Sequence, residues 1–424
     1  MNNTTTLVMV GGKSGVGKTT LVNGIIKAFP GLFDRPISYT TRKQRENEDS
    51  SEYIFTSHDE MDSLYQKSYF LNYDESYGEK YAISKESIYE LTQKGIIPIK
   101  EIHPKNQKAM KARYPFTISV LIRTIDDVPV TNRDNRDIED AEYYSGLDES
   151  QFDIVYINDR NIPINESIHL FGQRLLAYHK YRNRFPASKR IDMENAIGYS
   201  MIAKEFTEAK RITTHNFHTL SLGFFADILD AVYNNEDNCI LELGPGQGWL
   251  RKSLNRPIHN YDILELTEEM AAFNDARRKI IGSASRMPIC TESYDLVVSS
   301  LGDPYFYPET LCEVYRVLKH GGKFAFSLPD SEWAYALRGE NPKTTFISDA
   351  GKSAETYSFV FNLTVLKELL SDCGFIVEDI QSLNGEKLIK GEDRISPAIT
   401  AAAKNKGCTI DKLHIITICL CRKE

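Results

Sequence analysis

The sequence predicts an α/β chain of two domains, each a largely parallel sheet wrapped by helices. Three observations predict it. At 424 residues the chain exceeds what one hydrophobic core usually supports, so two domains are expected. Short apolar runs alternate with amphipathic stretches through both halves, the pattern of strands joined by covering helices. A glycine-rich turn follows an apolar run early in each half, at Gly12–Thr19 and at Gly244–Gly248.

Element by element, Leu7–Val10 reads as a short buried strand and Lys18–Phe29 as an amphipathic helix. Ile96–Ile99, Thr117–Ile122 and Phe152–Ile157 are further strand-length runs, the last ending in Asn158-Asp159. A helix over Ile164–Tyr181 closes this series, with Ile168, Leu170, Phe171 and Leu175 as its apolar stripe. Its basic end, Lys180, Arg182 and Arg184, is expected to complement a helix C-terminus, contact with a nucleotide being the alternative. Asn183–Asp192, with Pro186, Ala187 and Ser188, reads as a linker. The expected division is a first domain over 1–184, a linker over 185–196 and a second domain over 197–424. Helices around Ala196–Lys210 and His218–Tyr233 lead to Cys239–Leu243, where a second strand–helix series begins.

Composition narrows the class. An apolar fraction of 41% and a charged fraction of 26% are those of a soluble globular protein. The longest apolar runs, such as Ile415–Leu420, are strand-length, so no membrane span is expected. The first residues lack the basic and apolar regions of a signal peptide. A net charge of -8 gives no support for a broad nucleic-acid surface. The seven cysteines all lie at or after Cys239. Cys419 and Cys421 have no second pair to complete a metal site, so buried free thiols in a reducing cytoplasm are expected.

Gly12-Lys13-Ser14-Gly15-Val16-Gly17-Lys18-Thr19 has P-loop spacing and the required strand before and helix after. Glycines let backbone N–H groups converge on phosphate oxygens, and the helix N-terminus adds a favourable partial charge. Gly12, Ser14, Gly15, Val16, Gly17, Lys18, Thr19 and Thr20 are therefore expected to hold ATP. Lys18 would act catalytically on the β- and γ-phosphates, and the Thr19 hydroxyl would ligate Mg²⁺.

The residues beyond the P-loop narrow the family. Ser38-Tyr39-Thr40-Thr41-Arg42-Lys43-Gln44-Arg45, Tyr53 and the run Phe70–Tyr81 resemble the guanylate kinase family across the first domain. The resemblance implies an acceptor-phosphate site made of Ser38, Arg42, Arg45, Tyr53 and Tyr81, since guanidinium forks match phosphate oxygens. The base-reading positions depart from the family. Asn72 stands where it has a glutamate and Ile83 where it has a serine. Pro98-Ile99-Lys100-Glu101 replaces an aspartate pair, leaving Glu101 as the acidic counterpart. Isoleucine cannot hydrogen-bond, and asparagine offers a donor as well as an acceptor. The expected acceptor is thus a nucleoside monophosphate other than plain GMP. In the shortened lid, Arg133 and Arg136 are expected to neutralise the transferring phosphoryl group, although surface pairing suits that run nearly as well. Asn158-Asp159 resembles the family's adenine-side loop, which places Asn158 at ATP.

In the second half, Cys239–Gly248 runs from a strand into a turn with acid-x-Gly-x-Gly-x-Gly spacing, and the next strand, Asn260–Leu264, ends in Glu265. That arrangement suits a dinucleotide or S-adenosyl-L-methionine, an acid there binding ribose hydroxyls. Glu265–Met270, Gly282–Pro288, Tyr294–Ser300 and Glu313–Gly322, in that order, resemble class I methyltransferases of the small-molecule type. The fold class is then a P-loop nucleotide-kinase-like parallel sheet followed by a Rossmann-like class I methyltransferase sheet. The resemblance implies S-adenosylmethionine at Glu242, Gly244, Pro245, Gly246, Gly248, Glu265, Leu266, Ser283, Ala284 and Ser300. Ser283 stands where the family often has aspartate, and Glu265 replaces its commoner aspartate. For the methyl acceptor, Asp303 can orient it or act as a base, and Tyr305 and Trp333 can line its pocket. A turn role for Asp303-Pro304 and core packing for Trp333 stand beside these readings.

The expected function is a bifunctional enzyme using ATP, Mg²⁺ and S-adenosyl-L-methionine on a small nucleotide-like substrate. Two alternatives stay open: a nucleotide-gated methyltransferase of RNA, DNA or protein, and a non-catalytic kinase-like scaffold fused to a methyltransferase. The sequence does not fix the oligomeric state.

Overall fold

A computed structural model describes residues 7–44, 53–76, 78–114, 117–125, 143–181, 185–186, 188–206, 211–233, 237–253, 260–274, 276, 278–347, 351, 353–391 and 393–424. The chain separates into two compact units, 1–172 and 173–424. The division falls inside the helix Ile164–Tyr181, upstream of the expected boundary at 184. The expected linker is largely helical: Ser188–Ile202 forms one continuous helix.

The described strands of the first unit are β1 (Leu7–Gly11), β2 (Phe33–Asp34), β3 (Ser38–Thr40), β4 (Tyr53–Phe55), β5 (Phe70–Ser76), β6 (Glu79–Ser84), β7 (Ile97–Glu101), β8 (Thr117–Arg123) and β9 (Ile154–Ile157). Five of them form a parallel sheet in the order β2-β7-β1-β8-β9. Unbroken apolar runs suit this sheet because parallel strands are covered on both faces, and every residue of β1 is buried. The helix Lys18–Ala28 buries Leu21, Val22 and Ile25, neighbours on one helical face. A second sheet, β4-β3-β6-β5, was not foreseen. Its strands alternate: Ala82 packs with Met61 and Phe70, while Ile83 packs with Leu7 and Met9.

The second unit adds β10 (Ile240–Leu243), β11 (Tyr261–Glu265), β12 (Arg278–Ile281), β13 (Tyr294–Ser299), β14 (Leu318–Pro329), β15 (Lys343–Ile347), β16 (Ser353–Tyr357), β17 (Phe375–Asn384) and β18 (His414–Lys423). Its sheet order is β12-β11-β10-β13-β14-β18-β17. β10 to β14 run parallel, and β18 is antiparallel to both neighbours. β15 and β16 form a separate hairpin. The helix Ser188–Ile202 lies against β16 at Gly198, where an added Cβ would meet the Glu355 carbonyl oxygen at 2.6 Å.

A buried ionic cluster pins the loop after β12. Glu313, on the helix Pro308–Val317, accepts from Arg174 Nη1 at 2.7 Å and from Arg316 Nη2 at 2.8 Å. It also accepts from the Met287 backbone N–H at 2.8 Å. Both guanidinium groups donate onward to loop carbonyls, Arg174 to Ser285 at 3.0 Å and Arg316 to Ile289 at 2.7 Å. Burial raises the Glu313 pKa, but Arg316 and Arg174 outweigh it and hold the carboxyl below its ordinary range. Glu313→Gln leaves two buried cations under-compensated and is expected to cost about 3–5 kcal/mol. Both tryptophans, Trp249 and Trp333, lie in this unit, so urea unfolding followed by their fluorescence reads the loss. An unchanged midpoint would refute it.

Candidate functional site

The first unit's phosphate end is built by glycine conformations and by one asparagine. Gly15 and Gly17 take φ values of 80° and 92°, the left-handed region that side chains resist. A Cβ on Gly17 would lie 2.6 Å from Asn158 Nδ2. Asn158 is buried, its Nδ2 donating to the Val16 carbonyl at 2.8 Å and its Oδ1 accepting from Ser167 Oγ at 2.7 Å. Asn158 thus braces the P-loop through Nδ2 while Oδ1 anchors it to Ser167. The helix Lys18–Ala28 starts at Gly17 without a side-chain cap, leaving its first N–H groups for an anion. Lys18 Nζ folds over the loop and donates to the carbonyls of Gly12 at 2.7 Å and Lys13 at 2.8 Å. Ser14, Thr19 and Thr20 are exposed beside it, and Val16 is buried.

The acceptor residues divide. Ser38 is paired with Tyr53 across β3 and β4 and with Ile83 across β3 and β6, while Thr40 is paired with Tyr81. Directly opposed residues share a face, so Ser38, Tyr53, Tyr81 and Ile83 lie together. Ser38 is buried and its hydroxyl has no partner among the described residues. The Arg42 guanidinium lies 5.1 Å from the Tyr53 ring centre. Lys100, which no sequence motif marks, is buried with its ammonium 4.1 Å from that centre. Two cations on one ring are an anion-attracting arrangement.

Three expected base-reading residues are otherwise engaged. Ile83 is core, packed with Leu7, Met9 and Leu71. Asn72 accepts from the Ile83 N–H at 3.0 Å and donates to Asp74 at 2.7 Å, holding the irregular β5–β6 pairing. Glu101 takes both forks of Arg35, at 2.6 and 2.9 Å. Each was expected at the acceptor; the structure gives each a neighbour inside the protein instead. Arg45, Arg133 and Arg136 lie outside the described residues.

In the second unit a cavity of about 490 Å³ opens at the ends of β10, β11 and β13. Most of the expected donor residues line it: Glu242, Gly244, Pro245, Gly246, Glu265, Leu266, Ala284 and Ser300. Gly244 is obligatory, because at φ 58° a Cβ would meet the Tyr305 hydroxyl at 2.1 Å. The Glu265 carboxylate accepts from the Gly246 N–H at 2.6 Å and from the Leu266 N–H at 3.2 Å. Glu242 accepts from the Tyr261 hydroxyl at 2.5 Å. Gly248 and Ser283 are not among the lining residues; Gly248 carries a left-handed φ of 74° at the start of the helix Trp249–Ser253. Ser283 Oγ instead donates to Asp192 at 2.5 Å. Asp192, from the helix in the expected linker, also accepts from Tyr307 at 3.0 Å and lines the cavity. A carboxylate is therefore present where the loop's own aspartate is missing. The glycine turn, the carboxylates and the cavity's size fit S-adenosylmethionine.

Asp303, expected at the methyl acceptor, is buried and lines the cavity. It opens the short turn Asp303–Tyr305, held by Asn195, which donates to the Pro304 carbonyl at 2.7 Å and accepts from the Tyr357 N–H at 2.7 Å. Tyr305 lines the cavity, and its hydroxyl donates to the Leu243 carbonyl at 2.6 Å. Trp333 lines the cavity and packs edge-on against Phe217 at 4.9 Å. Tyr199, Phe206, Phe346 and Arg338 also line the cavity and were missed. They come from the preceding helices, the β15–β16 hairpin and the helix Ser331–Arg338, where no motif marks them.

The two sites define a P-loop nucleotide-binding fold followed by a Rossmann-like methyltransferase fold. Residues 3–155 match the family described as guanylate kinase, and residues 241–326 match the methyltransferase domain. The guanylate kinase of Chlamydia muridarum is 32% identical over 164 residues, 36% of this chain and 80% of that protein. That of Escherichia coli is 31% identical over 120 residues, 28% of this chain and 58% of that protein, so the match spans little more than half of it. An S-adenosylmethionine-dependent methyltransferase structure from Mesorhizobium loti aligns at TM-score 0.33 and 16% identity, covering 44% of this chain and 91% of that one. The chain belongs to the guanylate kinase family through its N-terminal part, and its C-terminal part carries a methyltransferase domain.

Burial raises the carboxyls of Glu242 and Glu265 to about 7 and that of Asp303 to about 6. Between about pH 4 and pH 7 the ligand-free folded chain therefore holds protons that the unfolded chain has released. Their contribution to stability is present at the acid end and lost as pH rises. Glu242→Gln, which removes one such carboxyl, is expected to melt higher than the parent at about pH 8 and to flatten the decline. Calorimetry across that range checks it; parallel curves for the two proteins would sink the assignment.

Proposed function

We propose that this chain is a bifunctional transferase. Its first unit phosphorylates a nucleoside monophosphate other than plain GMP with ATP and Mg²⁺, and its second methylates a small nucleotide-like molecule. The observation that carries the reading is the P-loop with Lys18 poised over it, accompanied in the same chain by a carboxylate-lined donor cavity. The seven cysteines are free thiols, which supports the cytoplasm as its setting.

In the first unit, Lys18 would exchange its carbonyl partners for phosphate oxygens, and the Thr19 hydroxyl would ligate Mg²⁺. Arg42, Lys100, Ser38, Tyr53 and Tyr81 offer charge and hydroxyls to an acceptor phosphate. The engagement of Asn72, Ile83 and Glu101 within the protein supports an altered base preference. Lys18→Ala is expected to lower phosphoryl transfer about a hundredfold or more. A panel of monophosphates assayed with both proteins tests the reading. GMP as clearly the best acceptor would overturn the preference, and equal turnover by Lys18→Ala would overturn the kinase.

In the second unit, Glu265, with the glycine turn and Asp192, would hold S-adenosylmethionine, which supplies an electrophilic methyl group and leaves as the thioether. Asp303, charged above about pH 6, accepts the proton that the attacking N–H or O–H group of the acceptor releases. kcat/KM is expected to rise with pH through about 6 and level off, and Asp303→Asn to lower it about a hundredfold or more. Label transferred from methyl-labelled S-adenosylmethionine into fractionated extract, with and without ATP, is the measurement. Label found only in RNA, DNA or protein would replace the small-molecule reading.

A further inference from the structure

The methyl-acceptor wall carries more hydrogen-bond donors than the protein uses. Arg338 closes the helix Ser331–Arg338 and lines the cavity. One of its terminal nitrogens donates to Ser358, to the carbonyl at 2.8 Å and to the hydroxyl at 2.9 Å. The other two nitrogens, Nε and Nη1, are buried and have no partner among the described residues. Trp333 Nε1, on the same helix, and Ser300 Oγ, at the end of β13, are buried and unpartnered too. Both residues line the same cavity.

Such an arrangement is costly without a ligand. A guanidinium cannot shed its charge, and each buried N–H without an acceptor forfeits its solvation. Asp303 is the nearby anion, yet no ion pair within 4 Å joins it to Arg338; both reach Ser358 instead. Burial lowers the Arg338 pKa, and the charges of Asp303 and Tyr335 offset it only in part. Anion oxygens brought to Nη1 or to Nε would satisfy donors that now have no partner, through the charge-assisted hydrogen bonds that a guanidinium makes to carboxylate and phosphate oxygens.

We propose that the methyl acceptor is an anion, gripped through a carboxylate or phosphate group by Arg338, with Trp333 Nε1 and Ser300 Oγ as auxiliary donors. The inference rests on the methyltransferase reading of this cavity. It deepens that reading, because the anionic group fixes one end of the acceptor while Asp303 faces the atom that receives the methyl group. The same grip excludes neutral analogues, since they would leave the guanidinium buried and unpaired.

The test uses the full chain saturated with S-adenosylhomocysteine and titrated in a calorimeter with inorganic phosphate and, separately, with acetate. At least one anion is expected to bind about tenfold or more weakly to Arg338→Met than to the parent, with Arg338→Lys between them. Phosphate taken up at the P-loop is common to all three proteins and cancels in the comparison. A difference for phosphate alone assigns a phosphate ester, and one for acetate a carboxylic acid. S-adenosylhomocysteine affinity is measured first in each protein and is expected to be unchanged, which also shows that the variants keep their fold. Identical anion binding in parent and variants overturns the proposal. So does a fall in S-adenosylhomocysteine affinity in both variants, which would give Arg338 to the donor's own carboxylate. Failure of the parent to bind S-adenosylhomocysteine is a separate result, and removes the methyltransferase reading beneath it.

Discussion

The Glu313 carboxylate sits out of water between Arg174 and Arg316, and much of the second unit's site is placed by it. A buried charge must be matched, and here the match is made by cations that themselves need acceptors. They find those acceptors in the carbonyls of Met287, Ile289 and Ser285. The loop after β12 is thereby drawn onto the helix Pro308–Val317, beyond β13. Ser283 and Ser285 are left facing Asp192. Charge matching in the core, rather than the loop's own preference, decides where one wall of the cavity stands.

The first unit solves a similar problem with neutral groups. A P-loop holds several glycines in conformations that an unfolded chain has no reason to prefer. Asn158 and Ser167 repay that by a short chain of hydrogen bonds running into the Val16 carbonyl. Arg160 adds a further donor at Gly15. The loop's shape is thus braced by hydrogen bonds from the protein's own groups.

Much of this was legible in the sequence, for a physical reason. Parallel strands such as Leu7–Gly11 and Tyr294–Ser299 are apolar because both faces are covered, and glycine turns are fixed in spacing because backbone must approach the ligand. Those signals are local. The β3–β6 sheet escaped notice because its strands are short and one face carries Ser38, Tyr53 and Tyr81 rather than an apolar row. Arg338, Asp192 and Asn195 escaped because their roles depend on partners far away in sequence. Ile83 and Glu101 depend in the same way on what each one touches, the core around Leu7 and Met9 for the first and Arg35 for the second.

The helix Ser188–Ile202 has a consequence for how such a chain can be inherited. Asp192 and Asn195 project from it to the loop after β12 and to the Asp303 turn, and Arg174 lies further upstream. Among the described residues between 173 and β10, these three tie the segment to the cavity wall and to the core. A recombination event that carried over the sheet alone, from Ile240 onward, would deliver a pocket missing one wall and a core missing a cation. The module is longer than its signature motifs, because Arg174, Asp192 and Asn195 all precede the first strand of its sheet.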